Sequence, residues 1–229
     1  MSFARPLLRL LARFSVRLWR SNVGSVTVEF VIITPLMCLV LSGFAEIYLY
    51  MRAASTLEHT AFTLADSIGQ FTQVLDSNAT TNANNLGALW AAAALLAAPT
   101  DLQTNGAVFI SAVCDLKGTS GCKMPGTSDV SSTDQTDLTK TGTQYRSWQR
   151  GAPWNASGLV SQIGTTNMLP TTWPFRPGDS AVIVEILYNY DPWAATRAFW
   201  SSAPGMRTIY QRIYVRTRNG LPLSLNTSS

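Results

Sequence analysis

The sequence is poor in the residues that most enzymes and metal sites use. It contains one histidine, His59, and three cysteines, and only 13% of its residues are charged. A Ser-His-Asp site would have to use His59, and no nucleophile-elbow, P-loop, HExxH or dinucleotide-binding motif occurs. The sequence therefore predicts a protein that is not an enzyme and that holds no metal and no cofactor.

Two alternatives to this expectation come from the polar half of the chain. Three aspartates offer the oxygen ligands that calcium prefers, although they lack EF-hand spacing: Asp129, Asp134 and Asp137. Cys114 and Cys122 could be zinc ligands, but no further cysteine or histidine lies near them. A close cysteine pair in a turn-rich stretch favours a disulfide in an oxidising compartment instead.

Acidic residues are absent from the start of the chain, which carries five arginines before the first carboxylate: Arg5, Arg9, Arg13, Arg17 and Arg20. The whole sequence has 17 Lys and Arg and a net charge of +4. Without those five arginines, its 13 Asp and Glu slightly outnumber the remaining cations. The basic character is therefore local, and it does not indicate a nucleic-acid-binding domain, which spreads cations over a folded face.

An apolar run, FVIITPLMCLVLSGFAEIYLYM at 30–51, follows the arginines and contains one charge, Glu46. A helix of this length spans about 33 Å, which is enough for a hydrocarbon core of about 30 Å. The positive-inside rule places the N-terminus in the cytoplasm and everything after Met51 on the other side. The sequence predicts a single-pass membrane protein with membrane lipid as one partner, whose C-terminal part is periplasmic or extracellular.

Three kinds of N-terminal signal fit this arrangement to different degrees. A cleaved secretory signal has only the poor site Gly43-Phe44-Ala45 and too long an apolar run. A plain signal anchor needs no cleavage site. A prepilin-type signal explains more residues, because it requires a basic leader, a glycine before the cut, a glutamate five residues later and an apolar helix. Gly24, Ser25 and Glu29 occupy those positions.

The position of Glu29 at the mouth of a membrane helix has a physical interpretation. A carboxylate there is costly without a partner. Cleavage after Gly24 gives Ser25 a new α-ammonium, which Glu29 of a neighbouring subunit would meet, setting the register between subunits. The alternative is an interfacial glutamate that lipid headgroups solvate.

The segment GSVTVEFVIITPLMCLVLSGFAEIYLY resembles the N-terminus of the TadE/TadG-like family. The features that recur there are Gly24, Val28-Glu29-Phe30, the mid-run Pro35, Gly43 and the second acid Glu46. The resemblance covers about residues 20–70. It implies a minor pseudopilin or accessory protein for assembly of a Tad (Flp-type) pilus at a bacterial inner membrane, with a prepilin peptidase and other pilins or pseudopilins as partners. In this interpretation Gly24 and Ser25 serve processing, and the residues that serve assembly are Glu29, Phe30, Pro35 and Glu46. The alternative function is an uncleaved, membrane-anchored periplasmic binding module.

The chain is expected to divide into an Arg-rich leader (1–24), a transmembrane helix (25–51), a continuation of that helix (52–76) and a periplasmic domain (77–229). An apolar stripe with spacings of three and four supports the continuation. Its members are Ala54, Leu57, Ala61, Leu64, Ile68, Phe71 and Leu75. A second helix is predicted over Leu86–Ala98, closed by Pro99.

Three strands are predicted, over Gly106–Leu116, Ser180–Tyr190 and Thr208–Arg218, with a long polar loop (117–167) after the first. In the last strand Ile209, Ile213 and Val215 share one face, and the arginines lie on the other. The sequence thus predicts a pilin-like α+β fold: a small antiparallel sheet with one polar face, whose apolar face the long helix covers.

Overall fold

A computed structural model describes residues 25–155, 158–193 and 205–227. The predicted leader (1–24), including Gly24, lies outside the described residues. The chain divides into two compact units, Met1–Leu49 and Tyr50–Ser229. A long apolar helix followed by a domain with an antiparallel sheet confirms the α+β class.

The first helix, α1, spans Ser25–Gly69 and contributes residues to both units. In the second unit it buries the predicted stripe: Leu57, Ala61, Leu64 and Ile68 are each at most 1% exposed. Residues three and four apart share one helix face, so the stripe presents a continuous apolar surface to the domain core.

The helix ends at Gly69, before the predicted end at residue 76. A Cβ at Gly69 would lie 3.3 Å from Val215 Cγ2, so the backbone passes close to a strand at this point. The chain then forms strand β1 (Gln73–Asp76). Leu75 therefore belongs to a strand, because the segment pairs with the distant C-terminal strand β6 (Ser224–Thr227) in parallel.

Two helices and a strand come next along the chain. Helix α2 spans Leu86–Leu96, close to the prediction, and the short helix α3 spans Leu102–Asn105. Strand β2 follows directly at Gly106–Asp115. Leu89, Trp90 and Ala93 of α2 are buried, so α2 is a core helix, and its 11 residues are too few to span a membrane.

The main sheet has four strands, β2, β3 (Gln144–Gly151), β4 (Ser180–Tyr190) and β5 (Arg207–Arg216). Their order in the sheet is β3-β2-β4-β5, and all neighbouring strands are antiparallel. Strands β2, β4 and β5 lie where the sequence predicts them. Strand β3 lies inside the stretch predicted to be a polar loop, which also contains the short helix α4 (Ser132–Thr136). The loop prediction for 117–167 was therefore wrong over these residues.

One face of the sheet forms the principal core with the helices. Val108 and Ile110 of β2 and Val182, Val184 and Ile186 of β4 pack in one cluster with the buried stripe of α1 and with α2. This is the packing that the alternation of the strands predicts.

The opposite face of the sheet, which the sequence analysis expected to be polar, carries a second apolar cluster. Ala181 and Ile183 of β4 pack there with Ile163, Met168 and Phe175 of the segment before β4. Arg212 and Tyr214 of β5, which lie on this face, are therefore half-buried beside a second, smaller core.

Candidate functional site

The predicted assembly residues lie along the first part of α1. Phe30 is 69% exposed, and Glu29 and Pro35 are also exposed. An 18-residue window of this helix has a mean hydropathy of 2.1 and no buried residue. In water such a surface would be unstable, so the helix is a candidate single-pass membrane anchor. Glu46 lies on the same helix, toward the end of the apolar run.

The processing residues stand at the border of the described chain. Gly24 is outside it, and Ser25 is the first residue of α1. Glu29 is therefore one helical turn from the residue that would become the new N-terminus. Pro35 is inside the helix, where a missing N–H removes one backbone hydrogen bond. Membrane helices tolerate such a proline.

Cys114 and Cys122 are joined by a disulfide, with their Cα atoms 5.5 Å apart. This is the pairing that their spacing favoured. The neighbouring Asp115 is fully buried and accepts hydrogen bonds from the backbone N–H groups of Thr143 (2.7 Å) and Gly178 (3.0 Å). Lys123, next to the disulfide, pairs with the same carboxylate at 2.9 Å. Disulfide and carboxylate together join three loops at one end of the sheet.

A second buried acid was missed by the sequence analysis. Glu185, in the middle of β4, is fully buried on the face of the sheet that was expected to be polar. It pairs with Arg212 on β5 (Nη2 to Oε1, 3.1 Å) and accepts hydrogen bonds from Tyr210 Oη (2.6 Å) and the Gln162 N–H (3.1 Å). Burial raises the pKa of Tyr210, and the hydrogen bond to Glu185 raises it further. The signal in the sequence that could have indicated this buried acid is its position within the otherwise apolar run AVIVEIL of β4.

The three aspartates considered for calcium make local ion pairs and hydrogen bonds. Asp129 lies 2.8 Å from Lys117 Nζ, Asp134 pairs with Lys140, and Asp137 accepts from the Thr139 N–H. Side-chain hydrogen bonds are the main cause that lowers the pKa of each carboxyl: Lys117 donates to Asp129, Lys140 to Asp134 and the Thr139 hydroxyl to Asp137. Within the described residues, no group of three or more His, Cys, Asp or Glu side chains could hold a metal ion.

A cavity of about 440 Å³ opens between segments 138–144 and 170–176. Its lining includes Lys140, Gln144, Trp173 and Arg176. A second cavity, of about 490 Å³, shares Arg176. Neither cavity brings together the predicted processing or assembly residues, which all lie at or before Glu46.

The N-terminal part of the chain matches a known family. Residues 24–66 match the family model described as TadE-like protein. No curated protein and no solved structure matches the chain. The match confirms the resemblance over the segment that holds Gly24, Glu29, Pro35 and Glu46.

Proposed function

Because residues 24–66 carry the TadE-like segment, we propose that the protein is a minor pseudopilin or accessory protein for assembly of a Tad pilus at the bacterial inner membrane. Its role is structural rather than catalytic. The observation that carries the proposal is the placement of Glu29 one turn after Ser25, at the start of an exposed apolar helix within that segment.

In this proposal a prepilin peptidase cuts after Gly24, at the cytoplasmic face. The arginine leader stays on the cytoplasmic side, and the segment 25–51 remains in the membrane as a single span. The domain at 77–229 lies in the periplasm. The Cys114–Cys122 disulfide supports this orientation, because a disulfide persists in an oxidising compartment such as the periplasm.

The helix then docks laterally on pilins or other pseudopilins through its apolar surface, in which Phe30 is one of the most exposed side chains. Glu29 of one subunit pairs with the Ser25 α-ammonium of its neighbour and sets the axial register. Two opposite charges at the lipid boundary stabilise each other because neither is fully solvated there. Pro35 and Glu46 shape and orient the same docking helix.

The docking role is tested by Glu29→Ala in cells that assemble the pilus. We expect the leader to be cleaved normally while the yield of sheared pili falls at least about tenfold, since a lost charged contact of about 1.4 kcal/mol or more changes an assembly equilibrium by that factor. Glu58→Ala is the matched control, because Glu58 is an exposed carboxylate on the same helix. Equal pilus yields from the two variants would show that Glu29 has no role in docking.

A further inference from the structure

The cavity between segments 138–144 and 170–176 has fixed walls. The Gly142 N–H donates to the Phe175 carbonyl at 2.9 Å, which joins the two segments directly. The Leu169 N–H donates to Gln144 Oε1 at 3.0 Å, and buried Asp115 holds the Thr143 N–H behind the cavity. The site is therefore formed before any ligand arrives, and its volume of about 440 Å³ lies within the range of about 300–1,000 Å³ usual for small-ligand pockets.

The charge of the cavity wall is positive. Among the described residues that line it, Lys140 and Arg176 are cationic and none is acidic. Lys140 pairs with Asp134, so its charge is balanced. The Arg176 guanidinium donates only to the Gln135 carbonyl, at 3.4 Å, and no carboxylate of the described chain lies within 4 Å of it. A half-buried guanidinium without a counter-ion favours an anion beside it.

The rest of the lining is rich in hydroxyl groups. Thr141, Thr171 and Thr172 are exposed at the cavity, and their hydroxyls make no hydrogen bond to the described part of the chain. The side-chain nitrogen of Gln144 likewise has no partner in that part. A hydroxyl both donates and accepts, so these groups match a ligand that carries several hydroxyls of its own.

An aromatic ring completes the wall. Trp173 lines the cavity, and its ring is held by the Arg216 guanidinium, 5.5 Å from the ring centroid, and by Tyr214, with ring centroids 6.1 Å apart. Two prolines, Pro170 and Pro174, flank it in the lining. Such a rigid apolar surface beside polar groups suits the mixed polar and apolar surface of a sugar ring.

We propose that this cavity binds an acidic sugar unit, such as a uronic acid residue of a polysaccharide, with its carboxylate on Arg176 and its hydroxyls on the threonines and Gln144. This is a binding function beyond pilus assembly and does not depend on it. An acidic peptide fits less well, because peptides of that kind are recognised by clusters of cations, whereas this wall offers one cation without a balancing carboxylate.

The proposal is tested by calorimetric titration of the full chain in detergent micelles with trigalacturonate, a trisaccharide of galacturonic acid. We expect saturable binding that weakens about tenfold or more in Arg176→Gln, because a charge-assisted hydrogen bond is lost. Arg207→Gln is the matched control: it removes an exposed arginine of β5 that does not line the cavity, and binding should change less than about twofold.

A second variant, Thr172→Ala, leaves all charges in place and should weaken binding a few-fold through the loss of one hydroxyl. The neutral trisaccharide maltotriose should bind at least about tenfold more weakly than trigalacturonate. The proposal is overturned if trigalacturonate does not bind saturably, if both arginine variants bind it equally, or if triglutamate or maltotriose binds as tightly.

Discussion

Glu185 and Arg212 face each other across β4 and β5 as register partners, with Nη2 and Oε1 3.1 Å apart. The carboxylate is fully buried, and the arginine side chain is 22% exposed. Glu185 also accepts from Ser161 Oγ, Tyr210 Oη and the Gln162 N–H. A buried charge satisfied by several donors fixes the segment around Ser161 and Gln162 onto this face of the sheet.

Loss of the Glu185 carboxylate should strongly destabilise the domain. Glu185→Leu would leave Arg212, Tyr210 and the loop donors without their acceptor, and we expect a loss of about 3–5 kcal/mol in the free energy of unfolding. Urea unfolding of the full chain in detergent, followed by tryptophan fluorescence, measures this. The exposed Glu58→Leu should change stability by less than about 0.5 kcal/mol. Equal effects would mean that the Glu185 network contributes nothing.

Tyr210 gives the same cluster a pH dependence. Its raised pKa favours the protonated phenol in the folded state, so its stabilising effect is complete below the unfolded pKa of about 10 and declines as the pH rises toward the folded pKa. We expect the free energy of unfolding of the wild type to exceed that of Tyr210→Phe by about 1 kcal/mol near neutral pH. That difference should shrink above about pH 10 in urea unfolding. A difference independent of pH would contradict the hydrogen-bond assignment.

Gly142 should tolerate no side chain. A Cβ at this position would lie 2.6 Å from the Arg176 carbonyl oxygen, on a backbone that the Gly142–Phe175 hydrogen bond holds in place. We expect Gly142→Ala to cost about 1–3 kcal/mol of unfolding free energy. Gly205→Ala is the matched control, because a Cβ there meets nothing within 4 Å. Equal melting temperatures for the two variants would show that segments 138–144 and 170–176 are not held together as described.

The disulfide should stabilise the domain modestly, because the loop it closes is short, with a sequence separation of 8. Loop-closure entropy gives about 2–3 kcal/mol. Cys122→Ser should lower the urea midpoint accordingly and make it insensitive to reductant. Cys38→Ser, which changes the free cysteine of the apolar helix, should leave the midpoint unchanged. A reductant-insensitive wild type would contradict the disulfide.

Local patterns were sufficient to predict the elements that bury a regular apolar face. The alternation of Ser180–Tyr190 gave the bounds of β4, and the helical spacing of Leu57 to Ile68 gave the buried side of α1. These predictions succeeded because period and burial coincide along each segment.

The elements that depend on distant partners were missed. The sequence of β3, QYRSWQRG, shows no alternation of apolar and polar residues, and only Trp148 in it is buried. It is a strand because it pairs with β2. Strand β1 exists because it pairs with β6, from the other end of the chain. The cavity wall is likewise formed by irregular segments whose contacts are tertiary hydrogen bonds. No local period encodes such contacts, which is why the cavity was not predicted.

The central claim, that the protein works as a processed pseudopilin, is tested most directly by the mass of its N-terminal peptide. The protein should be purified from membranes of piliated cells and analysed by mass spectrometry, with a strain lacking the prepilin peptidase as reference. The account predicts a chain that begins at Ser25 in the first strain and retains residues 1–24 in the second. A chain that retains the arginine segment in both strains would contradict it and leave a tethered binding domain.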